Sequence, residues 1–213
     1  MKFKDIRQRV GFAVEKLKEL YPDAKCSLYA DNPFELLVAT RLSAQCTDAR
    51  VNQVTPKLFE RYPDARAMAN ADIAELEEII KSCGLYKTKA RELIEMSKIL
   101  VERYDSTVPD TIEELIKLPG IGRKTANLIV GDIYGKPAVV ADTHFIRLCN
   151  RLGFVDTKDP LKVEMRMRQL LPPEESNVFC HRMVHHGRQI CTARAPKCEK
   201  CGLNIICLYK NNK

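Results

Sequence analysis

The stretch Leu118-Pro119-Gly120-Ile121-Gly122-Arg123-Lys124-Thr125-Ala126-Asn127 decides how the rest of the chain is read. A helix is expected to end near Leu118, because Pro119 has no amide N–H and blocks its continuation. Two glycines then permit a tight reversal at positive φ, and a second helix starts at about Arg123. The result is a helix-hairpin-helix. The amides of such a turn, and the first amides of the helix after it, have no intrahelical partner and suit a phosphate oxygen. Gly120, Gly122 and Arg123 are therefore read as a grip on a nucleic-acid backbone, a contact that carries no base information. The plainer alternative is an αα-corner whose glycines serve packing only, but it does not ask for two basic residues directly after the turn.

Helical periodicity extends outward from this hairpin in both directions. Phe3, Ile6, Val10, Leu17 and Leu20 mark one face of a first helix that stops at Tyr21-Pro22-Asp23. Asn32-Pro33 reads as an N-cap followed by proline at the first helical position, opening a helix so apolar on all sides that it belongs in a core. Further helices are predicted over Asp48 to Arg61, Asp72 to Ser82 with Gly84 as C-cap, and Lys87 to Tyr104. Thr111 and Glu114 read as a capping box. Alternation of period two is nearly absent, and the one candidate strand, Ala138-Val139-Val140-Ala141, is too short to build a sheet. The predicted fold is all-α.

The chain has 213 residues, 45% of them apolar, and a formal net charge of +7, which suits a polyanionic partner. No segment offers the roughly 20 apolar residues that span a bilayer, and Met1-Lys2-Phe3-Lys4-Asp5 has no apolar signal core. Together with an odd count of nine cysteines, this places the expected location in a reducing cytoplasm. Four of the nine, Cys191, Cys198, Cys201 and Cys207, crowd one short segment as C-x6-C-x2-C-x5-C. Structural zinc usually takes two paired knuckles, whereas an iron-sulfur cubane offers four separate corners and accepts uneven spacing. A [4Fe-4S] cluster is the expectation and zinc the alternative. Cys26, Cys46, Cys83, Cys149 and Cys180 are scattered and read as small buried hydrophobes.

Asp142 is placed to cap a helix from Thr143 to Leu152, and that could be its whole role. Lys124 likewise could be one more phosphate contact. A helix dipole's positive end and a neighbouring arginine both disfavour an ammonium, however, and a free amine is a nucleophile whose protons a nearby carboxylate can shuttle. His181 and His185 lie four apart as in a zinc-protease motif, but Arg182 stands where that motif needs glutamate. His144 reads as a packing or supporting residue beside Asp142. Arg194 and Lys197, in the loop between Cys191 and Cys198, are candidate phosphate contacts, with a solvated loop as the alternative.

Taken together, the hairpin, the Lys124 and Asp142 pair and the four-cysteine spacing resemble the endonuclease III family of DNA repair glycosylases with apurinic/apyrimidinic (AP) lyase activity. Leu42-Ser43-Ala44-Gln45-Cys46-Thr47-Asp48 and Gly84-Leu85-Tyr86 resemble segments of the same family. The resemblance implies a helix-hairpin-helix glycosylase fold of two helical domains, residues 25–135 and residues 1–24 with 136–213, flanking a DNA groove, the second domain carrying the cluster. It implies Lys124 as nucleophile, Asp142 as its catalytic partner, and Gln45 and Leu85 as the residues that fill the gap left by a flipped nucleotide. The implied activity is excision of oxidised pyrimidines from double-stranded DNA and cleavage at AP sites, by a monomer associated with the nucleoid. Cys46 stands where alanine is usual and Ala141 where valine is commoner, both conservative in size. Adenine glycosylases lack the lysine, and thymine-mismatch enzymes usually carry tyrosine there. A non-catalytic DNA-binding module with a structural metal would need neither Lys124 nor Asp142.

Overall fold

Asp5 accepts the amide of Gln8 and opens α1 (Ile6–Leu20), whose Val10, Ala13, Val14 and Leu17 form a buried stripe at spacings of three and four residues. The structure, a computed structural model, describes residues 3–211, and among them there is no strand. Asn32 caps α2 (Pro33–Leu42) by accepting from the Glu35 amide, and Pro33 occupies the first helical position, where a missing N–H costs nothing. Thr47, Asp64 and Asp72 cap α3 (Asp48–Arg61), α4 (Ala65–Ala69) and α5 (Ile73–Ile80) in the same way. α6 (Tyr86–Tyr104), α7 (Ile112–Leu115) and α8 (Arg123–Asp132) follow. α2 packs against α3, α6 and α8, which is why nearly its whole circumference is apolar.

After α8 the chain runs extended through Ala138–Ala141, all buried, but forms no ladder: the Ala138 amide donates to Ser176 Oγ at 3.2 Å and the Val140 amide to Cys180 Sγ at 3.3 Å. Side chains thus satisfy the backbone where a sheet would otherwise be needed. α9 (Thr143–Arg151), α10 (Pro160–Leu170), α11 (Ser176–Gln189) and α12 (Leu208–Asn211) complete the described chain. α11 packs on α1 and α9, with Phe145 and Phe179 edge to face at 6.2 Å between ring centres. The chain divides into two compact units, Met1–Lys25 with Lys136–Lys213, and Cys26–Gly135. Among the described residues no helix is long and apolar enough to cross a membrane.

Several local expectations need correction. α5 ends at Ile80 rather than Ser82, because its last turn tightens into a 3-10 turn over Lys81–Cys83 before Gly84 stops it at φ 69°. The predicted capping box is half formed: Thr111 Oγ1 accepts the Glu114 amide at 3.4 Å, but the Glu114 carboxylate turns to the Tyr104 hydroxyl at 2.7 Å. Only one hairpin glycine has positive φ. Gly120 lies at 72°, whereas Gly122 has φ −93° and ψ 172°, an extended conformation open to any residue.

Candidate nucleic-acid interface and cysteine cavity

Leu118 and Ile121 are buried and anchor the hairpin from beneath, and the Ile121 amide closes the turn on Leu118 O at 3.1 Å. Gly120 is glycine for two reasons. Its φ is in the left-handed region, and a Cβ there would run into Arg41 and come within 2.7 Å of Glu92 Oε2. Arg41 Nε donates to that same Glu92 oxygen at 2.6 Å, so an ion pair between α2 and α6 forms the floor of the hairpin. Gly122 is the N-cap of α8 and contributes no side-chain cap. A Cβ at Gly122 would meet nothing within 4 Å, so the space before the first amides of α8 is open. Lys124 is exposed on the first turn of α8, and Arg123 beside it is partly buried.

Like Asp105 and Ser106 after α6, Gln45 and Leu85 have an unusual backbone. Both lie in the left-handed region, at φ 55° and 49°, which costs about 1–3 kcal/mol for a residue with a Cβ. Strain of this kind collects at functional turns. Gln45 sits in the turn closed by the Cys46 amide on Ser43 O at 3.0 Å, and it is exposed. Leu85 is 56% exposed. Between these turns Lys89 is fully buried, a residue that sequence reasoning did not single out. Cys83 is buried too, its thiol pushed up to about 11 by desolvation.

In the other unit, Asp142 is the N-cap of α9, with Oδ1 accepting the Phe145 amide at 2.7 Å. His144 accepts at Nδ1 from Arg147 Nη2 at 3.1 Å, and burial holds its pKa below the usual histidine value. Arg147 and Arg151, one helical turn apart on α9, then fasten the cysteine segment. Arg147 donates to Gly187 O and Cys191 O at 3.0 Å each, and Arg151 to Thr192 O at 2.7 Å, Ala193 O at 2.8 Å and Cys191 Sγ at 3.2 Å. Sequence reasoning missed both, although their i,i+4 spacing behind Asp142 was visible.

Among the described residues no three His, Cys, Asp or Glu side chains converge on a point that would hold a metal ion. Cys191, Cys198, Cys201 and Cys207 instead line one small cavity of about 20 Å3. His186 Nε2 lies 3.3 Å from Cys201 Sγ and its Nδ1 3.2 Å from the Tyr21 hydroxyl. Burial lowers the His186 pKa to about 4, so the ring is neutral and links the Tyr21 hydroxyl at Nδ1 to Cys201 Sγ at Nε2. The Arg151 guanidinium thus donates to one sulfur atom of this cavity, and the His186 ring meets another. Arg194 and Lys197 are exposed in the intervening loop, which is held by Lys197 N to Ile190 O at 2.9 Å. The sequence motif suggested by His181 and His185 leads nowhere: Arg182 is buried and pairs with Glu175 at 2.7 Å, and His185 stacks on Tyr21.

The HhH-GPD superfamily of base excision DNA repair proteins matches residues 38–173. An endonuclease III of Synechocystis is 46% identical over 202 residues, covering 94% of this chain and 92% of the relative. A solved non-covalent endonuclease III–DNA complex superposes with a TM-score of 0.91 at 41% identity, covering 100% of this chain and 98% of that one. A trapped endonuclease III–DNA covalent intermediate gives the same TM-score and identity, covering 100% of this chain and 99% of that one. The chain belongs to the endonuclease III family.

Proposed function

We propose that this chain is a bifunctional enzyme of base excision repair, removing oxidised pyrimidines from double-stranded DNA and cleaving the strand at the resulting AP site. A damaged base inside the stack is out of reach, so it must be swung out at a cost of a few kcal/mol. Leu85 enters the stack as a wedge and Gln45 fills the vacated position against the unpaired partner base. The observation that carries this assignment is their shared left-handed backbone: two strained turns, each presenting an exposed side chain, on the unit that also holds the phosphate-ready hairpin. The amides around Gly120 and Gly122, with Arg123, take a phosphate oxygen, and Arg194 and Lys197 add charge contacts.

Lys124 then acts as the nucleophile. Its amine attacks C1′, the N-glycosidic bond breaks, and the base departs with its electron pair and takes up a proton. Loss of the amine proton and opening of the sugar leave a Schiff base between Lys124 Nζ and C1′. Removal of a proton from C2′ then expels the 3′ phosphate by β-elimination, and water releases the lysine. Asp142 keeps one oxygen on its cap bond, which fixes the carboxylate, and its charge stabilises the positive charge that develops on the sugar.

The four cysteines are assigned to a [4Fe-4S] cluster. Their common cavity and the Arg151 N–H directed at Cys191 Sγ fit thiolates bound to such a group. When bound, the cluster supplies four iron–thiolate links that brace the loop carrying Arg194 and Lys197. The protein is assigned to the cytoplasm, at the nucleoid, as a monomer. The direct test is incubation with a duplex bearing one oxidised pyrimidine. Release of the free base together with a 3′ unsaturated-aldehyde end is expected, and base release with an intact strand would remove the lyase assignment.

A further inference from the structure

Lys89 lies on α6, one turn after Leu85, and its side chain is completely shielded from solvent. Its Nζ donates to Leu42 O at 2.8 Å and to Cys83 O at 2.9 Å, while its own amide donates to Leu85 O at 3.0 Å. The two side-chain acceptors sit at helix ends. Leu42 is the last residue of α2, three before Gln45, and Cys83 ends the 3-10 turn two residues before Leu85. Carbonyls at such ends have no intrahelical donor and carry the negative end of the dipole, so a buried ammonium there answers a need that an apolar side chain would leave unmet. Burial pulls the lysine below its usual pKa, and the two carbonyls offset part of that penalty by binding the charged form. One turn along α6, Glu92 pairs with Arg41 under Gly120. A single helix thus ties together the turn of Gln45, the turn of Leu85 and the hairpin.

We propose that Lys89 is a positioning residue: its ammonium couples the Gln45 turn to the Leu85 turn and so sets the spacing of the two side chains that open and fill the DNA stack. The proposal rests on the gap-filling reading of those two residues. An elastic loop could not hold two left-handed residues in register, whereas one cation shared by both turns makes their displacement cooperative.

Lys89→Met keeps the length and bulk of the buried stem and removes the ammonium donors. Wild type, Lys89→Met, Leu85→Ala and the double variant are compared on two substrates. One is a duplex with thymine glycol opposite adenine. The other is a single-stranded oligonucleotide with one abasic site, where there is no partner base and no gap to fill. Lys89→Met is expected to lower kcat/KM on the duplex on the order of tenfold to a hundredfold while borohydride trapping on the single strand stays within about twofold. The double variant is expected to be no slower than the slower single variant, because both act through one wedge. An equal loss on both substrates would overturn the proposal, since general damage to the fold acts on both. So would a full-rate Lys89→Met beside an impaired Leu85→Ala. A full-rate Leu85→Ala, or a wild type that traps no DNA, would overturn the gap-filling or lyase reading beneath it, and the proposal with it. Should circular dichroism show Lys89→Met unfolded, Lys89→Gln, which retains an amide donor on a stem one bond shorter, is measured in the same way and judged by the same outcomes.

Discussion

Asp142 holds two roles that substitution can separate. Its Oδ1 caps α9 through the Phe145 amide at 2.7 Å, and its charge is assigned to the sugar. Asp142→Asn retains the cap acceptor and deletes the charge, whereas Asp142→Ala deletes both. Loss of an N-cap bond costs about 1 kcal/mol. In a chain of this size that lowers Tm by about 2–4 °C. Against a typical stability of roughly 5–15 kcal/mol, such a loss leaves well over 99% of the molecules folded, so it cannot reduce turnover measurably. The charge is a different matter, since removing one preorganised electrostatic partner of a transition state costs about a hundredfold to a thousandfold. The assay pairs thermal unfolding with single-turnover release of an oxidised base. Asp142→Asn is expected to melt within about 1 °C of wild type and Asp142→Ala about 2–4 °C lower, while both lose base release to a similar, large extent. Retained base release in Asp142→Asn would refute the reasoning and leave Asp142 as a cap alone.

Gly122→Asp puts a negative charge into the open space before the α8 amides and is expected to weaken filter binding to lesion and undamaged duplexes alike. Arg194→Ala and Lys197→Ala are each expected to flatten the plot of log affinity against log salt by about one phosphate contact. Protein purified without air is expected to be yellow-brown and to hold about four irons per chain by metal analysis, as four thiolates around a cubane require. Arg151→Ala, which removes the donors to Cys191 Sγ, Thr192 O and Ala193 O, is expected to lose that iron faster to a chelator than wild type.

Signals that act locally were legible in the sequence. Asn32-Pro33 announces α2 because a cap and a proline act within one turn, and Asp142 announces α9 for the same reason. Pro119 and Gly120 announce the hairpin because a missing amide and a missing Cβ each exclude all but a few backbones. What depends on distant partners was not legible. Lys89 looks like any helical lysine until two carbonyls, 47 and 6 residues away, appear beside it. Nothing local in the sequence marks Leu85 as exposed at positive φ, and Gly122 seems to need glycine's freedom until its φ proves negative. Arg147 and Arg151 follow the same pattern, since their acceptors lie some 40 residues downstream.

The central claim is that the amine of Lys124 joins covalently to the sugar. Wild-type protein and Lys124→Gln are incubated with an abasic duplex and sodium borohydride, which reduces a Schiff base to a stable amine, and the digested adduct is mapped by mass spectrometry. The expected result is a wild-type adduct on the peptide carrying Lys124 and, for Lys124→Gln, retained binding to abasic DNA with no adduct. An adduct formed by Lys124→Gln at near wild-type yield, or one mapped to another amine of the wild type, would contradict the account.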